Sequence, residues 1–368
     1  MPDPIANATS AVCPSATTAP GSVSLSVIIN NYNYAQFLPV TIESVLGQSV
    51  PVQLIVVDDC STDGSRDVIR RYADRLQLVF LKVNSGQGAG LNAGFAEATG
   101  DLVMFLDADD FMLPGAVEAI LRNYDPQTAL YLYRMRYGDE QGTLGGFYPP
   151  LSTRFASGDV SSQLRQTGRY AGTITSGMVC SRAALAKMMP MDPEAFRYGG
   201  DGHIAVGLPL YGPVKASDTA ICCYRLHGRQ HTNPSPDALT KRARWRISHD
   251  AERYKVLRAQ AAALDLPVAA DLGTRDPANI KERIISLMFD PQLHPIATDR
   301  LGNLLHQARR LALTQGSGAR RYLRALWWSL LAGLPPAARR KLFLYEVAPA
   351  TRPRWFTALV RAIRRPRG

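Results

Sequence analysis

Residues 102–110 read LVMFLDADD, an apolar run that leads directly into a turn with three aspartates. A short, continuous apolar run of this kind is typical of a strand buried on both faces. The carboxylates of Asp107, Asp109 and Asp110 repel one another, and a hard divalent cation relieves that repulsion. The sequence therefore predicts a buried strand whose end binds Mg²⁺ or Mn²⁺ and, through it, a phosphate. The alternative is a solvated acidic loop that caps the next helix.

The chain before this strand alternates between strand-like and helical patterns. Earlier strands are predicted at 23–30, 52–57 and 76–83, with helices at about 36–47, 61–73 and 88–98. Such alternation indicates an α/β fold with a mostly parallel sheet flanked by helices. Ligands of open α/β sheets bind outside the carboxyl ends of the strands. Polar residues follow each predicted strand, so we expect one shared site, built from Asn31-Tyr32-Asn33, Asp58-Asp59, Asn84 and the acidic turn.

The pattern changes after Pro114. A helix near 113–123 and a strand pair at 129–136 and 143–147 are followed by mixed elements up to a strand at 213–225, and the chain then becomes helical from about 237. We divide the chain into a flexible leader at 1–22, an α/β domain at 23–235 and a helical, basic C-terminal region at 236–368.

Charge is distributed unevenly along the chain. Its net charge is +11, yet residues 301–368 contain 14 Arg and Lys and a single acid, Glu346, so the first 300 residues sum to about −2. The five cysteines form no CxxC pair and no metal-ligand spacing, which favours a reducing compartment. With no secretory signal pattern and no membrane-spanning apolar run, a cytoplasmic location is expected.

Three separated motifs carry a family resemblance. SVIINNYN at 26–33, LIVVDDCSTDGS at 54–65 and NSGQGAGLNAGFAEATGDLVMFLDADD at 84–110 occur in this order. Together they resemble the family-2 glycosyltransferases of GT-A fold over about residues 23–115, with a weaker match to about 233. The resemblance implies a metal-dependent, inverting transfer of a sugar from a nucleotide-diphosphate donor. It assigns 23–115 to nucleotide binding and 116–235 to the acceptor.

The resemblance also assigns roles to single residues. Asp107 and Asp109 match the DxD element that binds the metal and the donor diphosphate. Either Asp58 or Asp59 matches the acid that contacts the base, although a helix cap is the structural alternative. The other residues assigned to the donor are Asn31, Tyr32, Asn33, Asn84, Gly88, Asn92 and Arg225. Two positions depart from the family pattern, which often has Pro at the position of Asn30 and Arg at the position of Leu91.

Asp201 is the predicted catalytic base. An inverting transfer needs a carboxylate that deprotonates the acceptor hydroxyl. Residues 198–203 read YGGDGH and resemble the family's ED-type motif, with Gly200 at the position where an acid is common. A simple helix cap is the alternative role, and Asp192 and Glu194 are weaker candidates for the base.

The strand at 213–225 is followed by a candidate metal ligand. Residues 223–227 read CYRLH and resemble the family's YRxH ending, which makes His227 a candidate for the metal and Arg225 for phosphate charge. A lone histidine is more often structural than a ligand. His203 and His231 are weaker candidates.

Other classes of protein fit parts of the pattern. Residues 88–93 read GAGLNA and fit the GxGxxA turn of an NAD(P)-binding oxidoreductase, but one ribose-binding acid does not call for three. A phosphatase with Asp107 as nucleophile would place that residue on the first strand of its domain. A non-catalytic nucleotide-sugar-binding protein is the third alternative.

The basic tail predicts a location and partners. In PRWFTALVRAIRR at 353–365 the basic and apolar residues face opposite sides of a helix, as in helices that lie on anionic membranes. Packing on protein is the alternative. The expected partners are a UDP-, GDP- or dTDP-linked sugar, a glycan or lipid-linked acceptor, and an anionic membrane surface on the inner face of the cell membrane. Nucleic acid is not expected, because the α/β part has no basic stripe.

Overall fold

The computed structural model describes residues 9–11, 22–228, 238–316, 318–348, 351–354 and 356–357. The chain divides into two compact units. The first unit comprises Met1–His227 with Glu252–Ala269, and the second comprises Gly228–Ala251 with Ala270–Gly368. The first boundary between the units follows His227, eight residues before the predicted domain limit at 235. The return of residues 252–269 to the first unit was not predicted.

Ten strands are described: β1 Thr9–Ala11, β2 Leu25–Asn31, β3 Gln53–Asp58, β4 Gln77–Phe80, β5 Leu102–Asp107, β6 Phe111–Met112, β7 Leu130–Gly138, β8 Leu144–Tyr148, β9 Met178–Ser181 and β10 Val214–Arg225. The helices of the first unit are α1 Leu38–Leu46, α2 Ser65–Arg70, α3 Gln87–Glu97, α4 Ala116–Arg122, α5 Ser161–Thr167, α6 Arg182–Leu185 and α7 Asp201–Gly207. The remaining helices are α8 Leu239–Ala262, α9 Leu272–Arg275, α10 Pro277–Phe289, α11 Leu301–Gln315, α12 Arg320–Gly333 and α13 Pro336–Val347.

All ten strands belong to one sheet. Its order is β1-β4-β3-β2-β5-β9-β7-β10-β6, with β8 paired to β7. The ladders β4-β3, β3-β2, β2-β5 and β7-β10 are parallel, and the remaining ladders are antiparallel. The predicted α/β sheet, with its longest ladders parallel, is confirmed, as is a helical C-terminal region.

Register brings the polar strand ends together. In β2, Asn31 is opposite Asp58 of β3 and Asn30 is opposite Asp107 of β5. Because these three strands are parallel, their carboxyl ends lie at the same edge of the sheet. The shared edge that the sequence predicted is therefore present.

The centre of the sheet is covered on both faces. Val27, Ile28 and Ile29 are fully buried, and alternate residues contribute to two different apolar clusters. Branched side chains suit this position because they pack well on a pleated surface and lose little rotamer freedom there. The rigid centre fixes the positions of the polar residues that follow β2, β3 and β5.

The second half of the sheet completes that edge. Strand β9 is antiparallel to β5, and β7 and β10 follow it in the sheet. Strand β10 also pairs with the short strand β6, with Cys223 opposite Phe111. The chain from β10 to His227 therefore runs beside the acidic turn that precedes β6.

The second unit has its own helical core. Apolar residues of α10 and α11 pack with Leu331 of α12 and Phe343 of α13. Inside this unit Asp299 accepts hydrogen bonds from the buried side chain of Arg283. In the described part of the chain, every helix falls short of the length or apolarity that crossing a bilayer requires.

Two predictions on the termini differ from the structure or fall outside it. Thr9–Ala11, within the predicted flexible leader, pairs antiparallel with β4 as strand β1. This correction has a simple cause, since β4 is otherwise an edge whose backbone groups need partners. The predicted amphipathic helix at 353–365 lies mostly outside the described residues.

Candidate active site

The acidic turn is held rigidly at the end of β5. The backbone N–H of Asp110 donates to the carbonyl of Asp107 at 3.0 Å. The hydroxyl of Thr41 lies 2.8 Å from the carbonyl of Ala108 and 2.6 Å from that of Asp110. The backbone N–H of Asp107 donates to the hydroxyl of Ser176 at 3.2 Å. The turn therefore presents its carboxylates in a fixed arrangement.

The carboxylates of the turn carry more negative charge than the protein neutralises. Burial, with the charges of Asp109 and Asp201, raises the pKa of Asp107 to about 8. Burial and the charges of Asp109 and Asp107 also raise the pKa of Asp110 well above its usual value. Asp110 is fully buried, whereas Asp107 and Asp109 are partly exposed. Asp107 and Asp109 are thus the two that can reach a ligand.

His227 lies at the acidic turn, as the sequence predicted. Its Nε2 is 2.9 Å from Oδ2 of Asp109. The ring packs against Tyr34 and Phe37, with ring centroids 5.8 Å and 4.7 Å apart. These contacts fix the ring, so that an imidazole nitrogen and a carboxylate oxygen can face one cation.

Arg225 places a positive charge on the other side of the turn. Its backbone N–H donates to Oδ1 of Asp110 at 3.1 Å. The guanidinium lies over the rings of Phe37 and Phe111, 4.8 Å and 5.1 Å from their centroids. Burial lowers the pKa of Arg225, yet an arginine keeps its charge at neutral pH. A preorganised cation is therefore available for phosphate charge.

Asp201 comes close to the acidic turn through the fold. It begins α7, and its charge contributes to the raised pKa of Asp107. Gln87 spans the two elements, because its amide donates to Oδ1 of Asp107 at 3.2 Å while its carbonyl oxygen accepts from the N–H of Gly200 at 2.9 Å. Sequence analysis missed Gln87, since an uncharged residue at the start of a helix gives no chemical signal.

Asp58 is fully committed to partners within the protein. Its carboxylate accepts from Asn31 at 2.8 Å, from the N–H of Ser61 at 3.0 Å and from Arg66 at 2.7 Å. The amide of Asn31 also donates to the hydroxyl of Ser61 at 3.1 Å. Asp58 therefore ties the loop after β2 to the loop after β3.

Asp59 has a different set of partners. Its two carboxylate oxygens accept from the backbone N–H groups of Ser85 and Gly86, both at 2.7 Å. Burial raises the pKa of Asp59 despite these bonds. Asn84, one residue earlier, accepts a hydrogen bond from Arg197 and donates to the carbonyl of Asp59 at 3.4 Å. The sequence could not separate Asp58 from Asp59, whereas the structure assigns each to its own loop.

The loop after β2 combines a fixed turn with an exposed ring. The side-chain oxygen of Asn33 accepts from the N–H of Thr62 at 2.8 Å and of Asp63 at 3.2 Å, and its φ of +61° is one that asparagine tolerates. Next to it, the ring of Tyr32 is 42% exposed. An exposed ring on a rigid turn is a surface on which a planar base can stack.

Gly88 and Asn92 have structural roles. A Cβ at Gly88 would lie 2.9 Å from the carbonyl oxygen of Phe196, so only glycine fits there. The amide group of Asn92 makes two hydrogen bonds with the backbone of Met191, at 2.8 and 2.9 Å. Both residues hold the chain that leads to Asp201, and their predicted contacts to a donor stay predictions.

Two departures from the family pattern face each other. Leu91 stands where arginine is common and Gly200 where an acid is common. A Cβ at Gly200 would lie 2.6 Å from Cδ1 of the fully buried Leu91. Leu91 therefore fills the space next to Gly200, and this close contact leaves no room for a side chain at position 200.

The residues at the turn fit a divalent cation that also takes ligands from a substrate. Among the described residues, no three His, Cys, Asp or Glu side chains form a ready-made cage. Mg²⁺ and Mn²⁺ at phosphate sites are commonly held by one or two carboxylates, with phosphate and water as the other ligands. The oxygens of Asp107 and Asp109 and the nitrogen of His227 match that donor chemistry.

Comparison with known proteins assigns part of the chain to a family. Residues 26–188 match the model of the family described as glycosyl transferase family 2. This chain contains a glycosyltransferase family 2 domain. The match covers β2 to β5 and extends past β9.

Several relatives of the domain come from bacteria. An uncharacterised glycosyltransferase of Nostoc sp. (strain PCC 7120) is 37% identical over 219 residues, which are 55% of this chain and 65% of that protein. A succinoglycan biosynthesis protein of Rhizobium meliloti is 34% identical over 103 residues, 27% of this chain and 30% of that protein. The chain thus spans less than two thirds of the length of these relatives.

A solved structure was also compared. S. aureus TarS 1–349 in complex with UDP-GlcNAc has a TM-score of 0.49 at 17% identity, and the match covers 88% of this chain and 91% of that chain. The oxidoreductase alternative is not supported by the family match. The glycines of the GAGLNA segment at 88–93 also do not form an open turn. A Cβ at Gly90 would lie 1.9 Å from Oδ1 of Asn30 and would collide with that side chain.

Proposed function

We propose that this chain is a metal-dependent, inverting glycosyltransferase that moves a sugar from a nucleotide-diphosphate sugar to an acceptor hydroxyl. One observation carries the proposal. Asp107, Asp109 and Asp201 converge at the carboxyl edge of the sheet, and the charge of Asp201 helps to raise the pKa of Asp107. Such a surplus of carboxylates is unfavourable unless a cation and a proton-accepting role account for it.

The acidic turn binds the donor diphosphate in this proposal. Asp107, Asp109 and His227 would hold Mn²⁺ or Mg²⁺, and the cation would supply positive charge to the leaving diphosphate. Arg225 adds a second, fixed positive charge to the same leaving group. The aromatic rings that pack around Arg225 and His227 exclude water from this side, which strengthens both interactions.

Asp201 acts as the general base. It accepts the proton of the acceptor hydroxyl while that oxygen attacks the anomeric carbon. The bond between this carbon and the diphosphate oxygen breaks on the opposite face, so the configuration inverts. Gln87 positions both groups, because its amide binds Asp107 and its carbonyl oxygen holds the N–H next to Asp201.

The loops after β2, β3 and β4 bind the nucleoside. Tyr32 offers an exposed ring to the base, and Asn31, Asn33 and Asp58 shape the turn that carries it. Asp59 and Asn84, with Gly88 and Asn92 behind them, shape the loop that faces the ribose. These assignments leave the base open among uracil, guanine and thymine.

Partners and location form the last part of the proposal. One relative is named for succinoglycan biosynthesis. By analogy we assign this chain to cell-surface glycan or glycolipid synthesis, with a glycan or lipid-linked acceptor. The basic C-terminal region would hold it at the inner face of an anionic membrane.

A screen of nucleotide sugars tests the transfer reaction. UDP-, GDP- and dTDP-sugars are added to the full chain with Mn²⁺ or with EDTA, and the unfolding temperature is measured. We expect one donor class to raise it only with metal, because a ligand that binds the folded form stabilises it. Stabilisation by NAD without metal, or by no nucleotide sugar at all, would contradict the proposal.

A further inference from the structure

Helix α12 exposes an apolar stripe. Tyr322, Leu323, Leu326 and Leu330 are 57%, 50%, 67% and 48% exposed. At about 100° per residue, these four side chains fall within a sector of roughly 100° on the helix surface. A soluble protein rarely leaves four large apolar side chains adjacent on one helix face without a use for them.

The stripe belongs to a well-anchored helix. Its opposite side is held by Ala325 and Leu331, which are buried in the second unit. The side chain of Arg339 donates to the carbonyls of Leu331 at 2.7 Å and Leu334 at 2.8 Å, which satisfies the carboxyl end of α12. The exposed apolar face is therefore a property of the folded unit.

The segment of sequence that contains α12 is almost entirely positive in charge. Residues 301–368 carry 14 Arg and Lys against one acid, Glu346. The carboxylate of Glu346 accepts from Lys281 at 2.7 Å and from the indole N–H of Trp327 at 2.6 Å, so it is already engaged inside the unit. A positive charge borders the stripe directly, because the guanidinium of Arg321 lies 4.7 Å from the ring centroid of Tyr322 and donates to its hydroxyl at 2.7 Å.

We infer that the α12 face, defined by Tyr322, Leu323, Leu326 and Leu330, docks on an anionic lipid bilayer. Helices that bind there place apolar side chains at the acyl boundary and arginines at the headgroups. A second copy of this chain fits less well, because two faces bordered by arginines would repel each other. The inference deepens the membrane location proposed above and does not depend on the donor.

Flotation with vesicles tests the α12 face. The full chain is mixed with phosphatidylcholine vesicles that contain or lack phosphatidylglycerol, and bound protein is measured. We expect binding to vesicles with phosphatidylglycerol. The double variant Leu326→Glu with Leu330→Glu should lower the partition coefficient by about tenfold or more. Replacing Arg321 with Ala should lower it by about fivefold.

Leu293→Glu is the matched control. Leu293 is 62% exposed in the same unit but lies outside α12, so this change should leave partition unaltered. Each variant must also keep the wild-type unfolding temperature and the donor-induced shift with Mn²⁺. These two readouts separate loss of the lipid surface from loss of the fold or of donor binding.

Three results would overturn the inference. The first is equal partition of the double variant and the wild type. The second is equal binding to vesicles with and without phosphatidylglycerol. The third is a concentration-dependent dimer that the double variant abolishes, which would assign the face to a second copy.

Discussion

The carboxylates of Asp299 in the second unit and of Asp107 in the first unit have pKa values shifted in opposite directions. In the second unit, burial alone would raise the pKa of Asp299, but hydrogen bonds from Arg283 and His294 outweigh it and lower the pKa. In the first unit, burial and neighbouring acids raise the pKa of Asp107 to about 8. Asp299 has positively charged partners within the chain, whereas the neighbours of Asp107 that shift its pKa most are acidic.

This difference separates a group that is complete within the chain from one that we propose binds a ligand. Arg283 binds both oxygens of Asp299, and Nε2 of His294 lies 2.9 Å from Oδ2. Such a group is complete without a ligand. At the acidic turn the raised pKa means that Asp107 keeps its proton at neutral pH unless a cation displaces it, and the proposed metal would be that cation. Removal of a charge should therefore have opposite effects on stability at the two sites.

The largest effect is expected at Asp201. Asp201→Asn removes the general base, so kcat should fall by about 10²- to 10⁴-fold. Donor binding should persist, because Asp201 is not assigned to the metal. Initial rates and the Mn²⁺-dependent thermal shift with the donor check both parts. Unchanged turnover would remove Asp201 as the base, and Asp192→Asn serves as the matched control.

At the ion pair of Arg283 and Asp299, loss of a charge should destabilise the fold. Arg283→Ala leaves the buried carboxylate of Asp299 without its main partner, and breaking such a pair costs about 3–5 kcal/mol. Urea denaturation measures the change in the free energy of unfolding.

Asp107→Asn is the contrasting variant. It removes a carboxyl group that burial and neighbouring acids destabilise in its charged form. The unfolding temperature of the metal-free protein should therefore rise by about 2–4 °C, and the response to Mn²⁺ should be abolished.

The pH dependence sharpens the same contrast. The pKa of Asp107 rises from 3.8 to about 8 on folding, so the metal-free protein should lose stability from this group as pH increases across that interval. Asp299 has a lowered pKa, so its contribution is present above 3.8 and is lost as pH falls below that value. Because Mn²⁺ displaces the proton, the thermal shift it causes should grow as pH rises through about 8. A shift that is independent of pH in the wild type would refute this account.

The smallest effect is expected at Gln87. Gln87→Ala breaks both the contact to Asp107 and the contact to Gly200, so kcat should fall by about tenfold, the loss expected from one hydrogen bond to a charged group. KM for the donor should change little. Gln48, whose amide bonds lie away from the acidic turn, supplies the control Gln48→Ala. An equal loss of rate in both variants would mean that Gln87 acts through the fold alone.

Much of the fold of residues 23–115 could be predicted from the sequence. Its strands and helices are short, strongly patterned and connected by short turns, and local patterns of this kind depend little on the rest of the chain. The strand ends after β2, β3 and β5 lie where the alternation of elements placed them. The less regular second half gave weaker predictions, and α5 was missed because 161–167 reads SSQLRQT, with a single apolar residue.

The sequence by itself determined the chemical groups of the candidate site and the strands that carry them, because apolar periodicity and charge clustering are local properties. Only the tertiary structure decided how those groups are used. It separated Asp58 from Asp59, brought Asp201 to Asp107 across 94 residues, and placed Leu91 against Gly200. The physical reason is that repulsion, burial and steric fit depend on distance in space, and distance along the chain does not fix them.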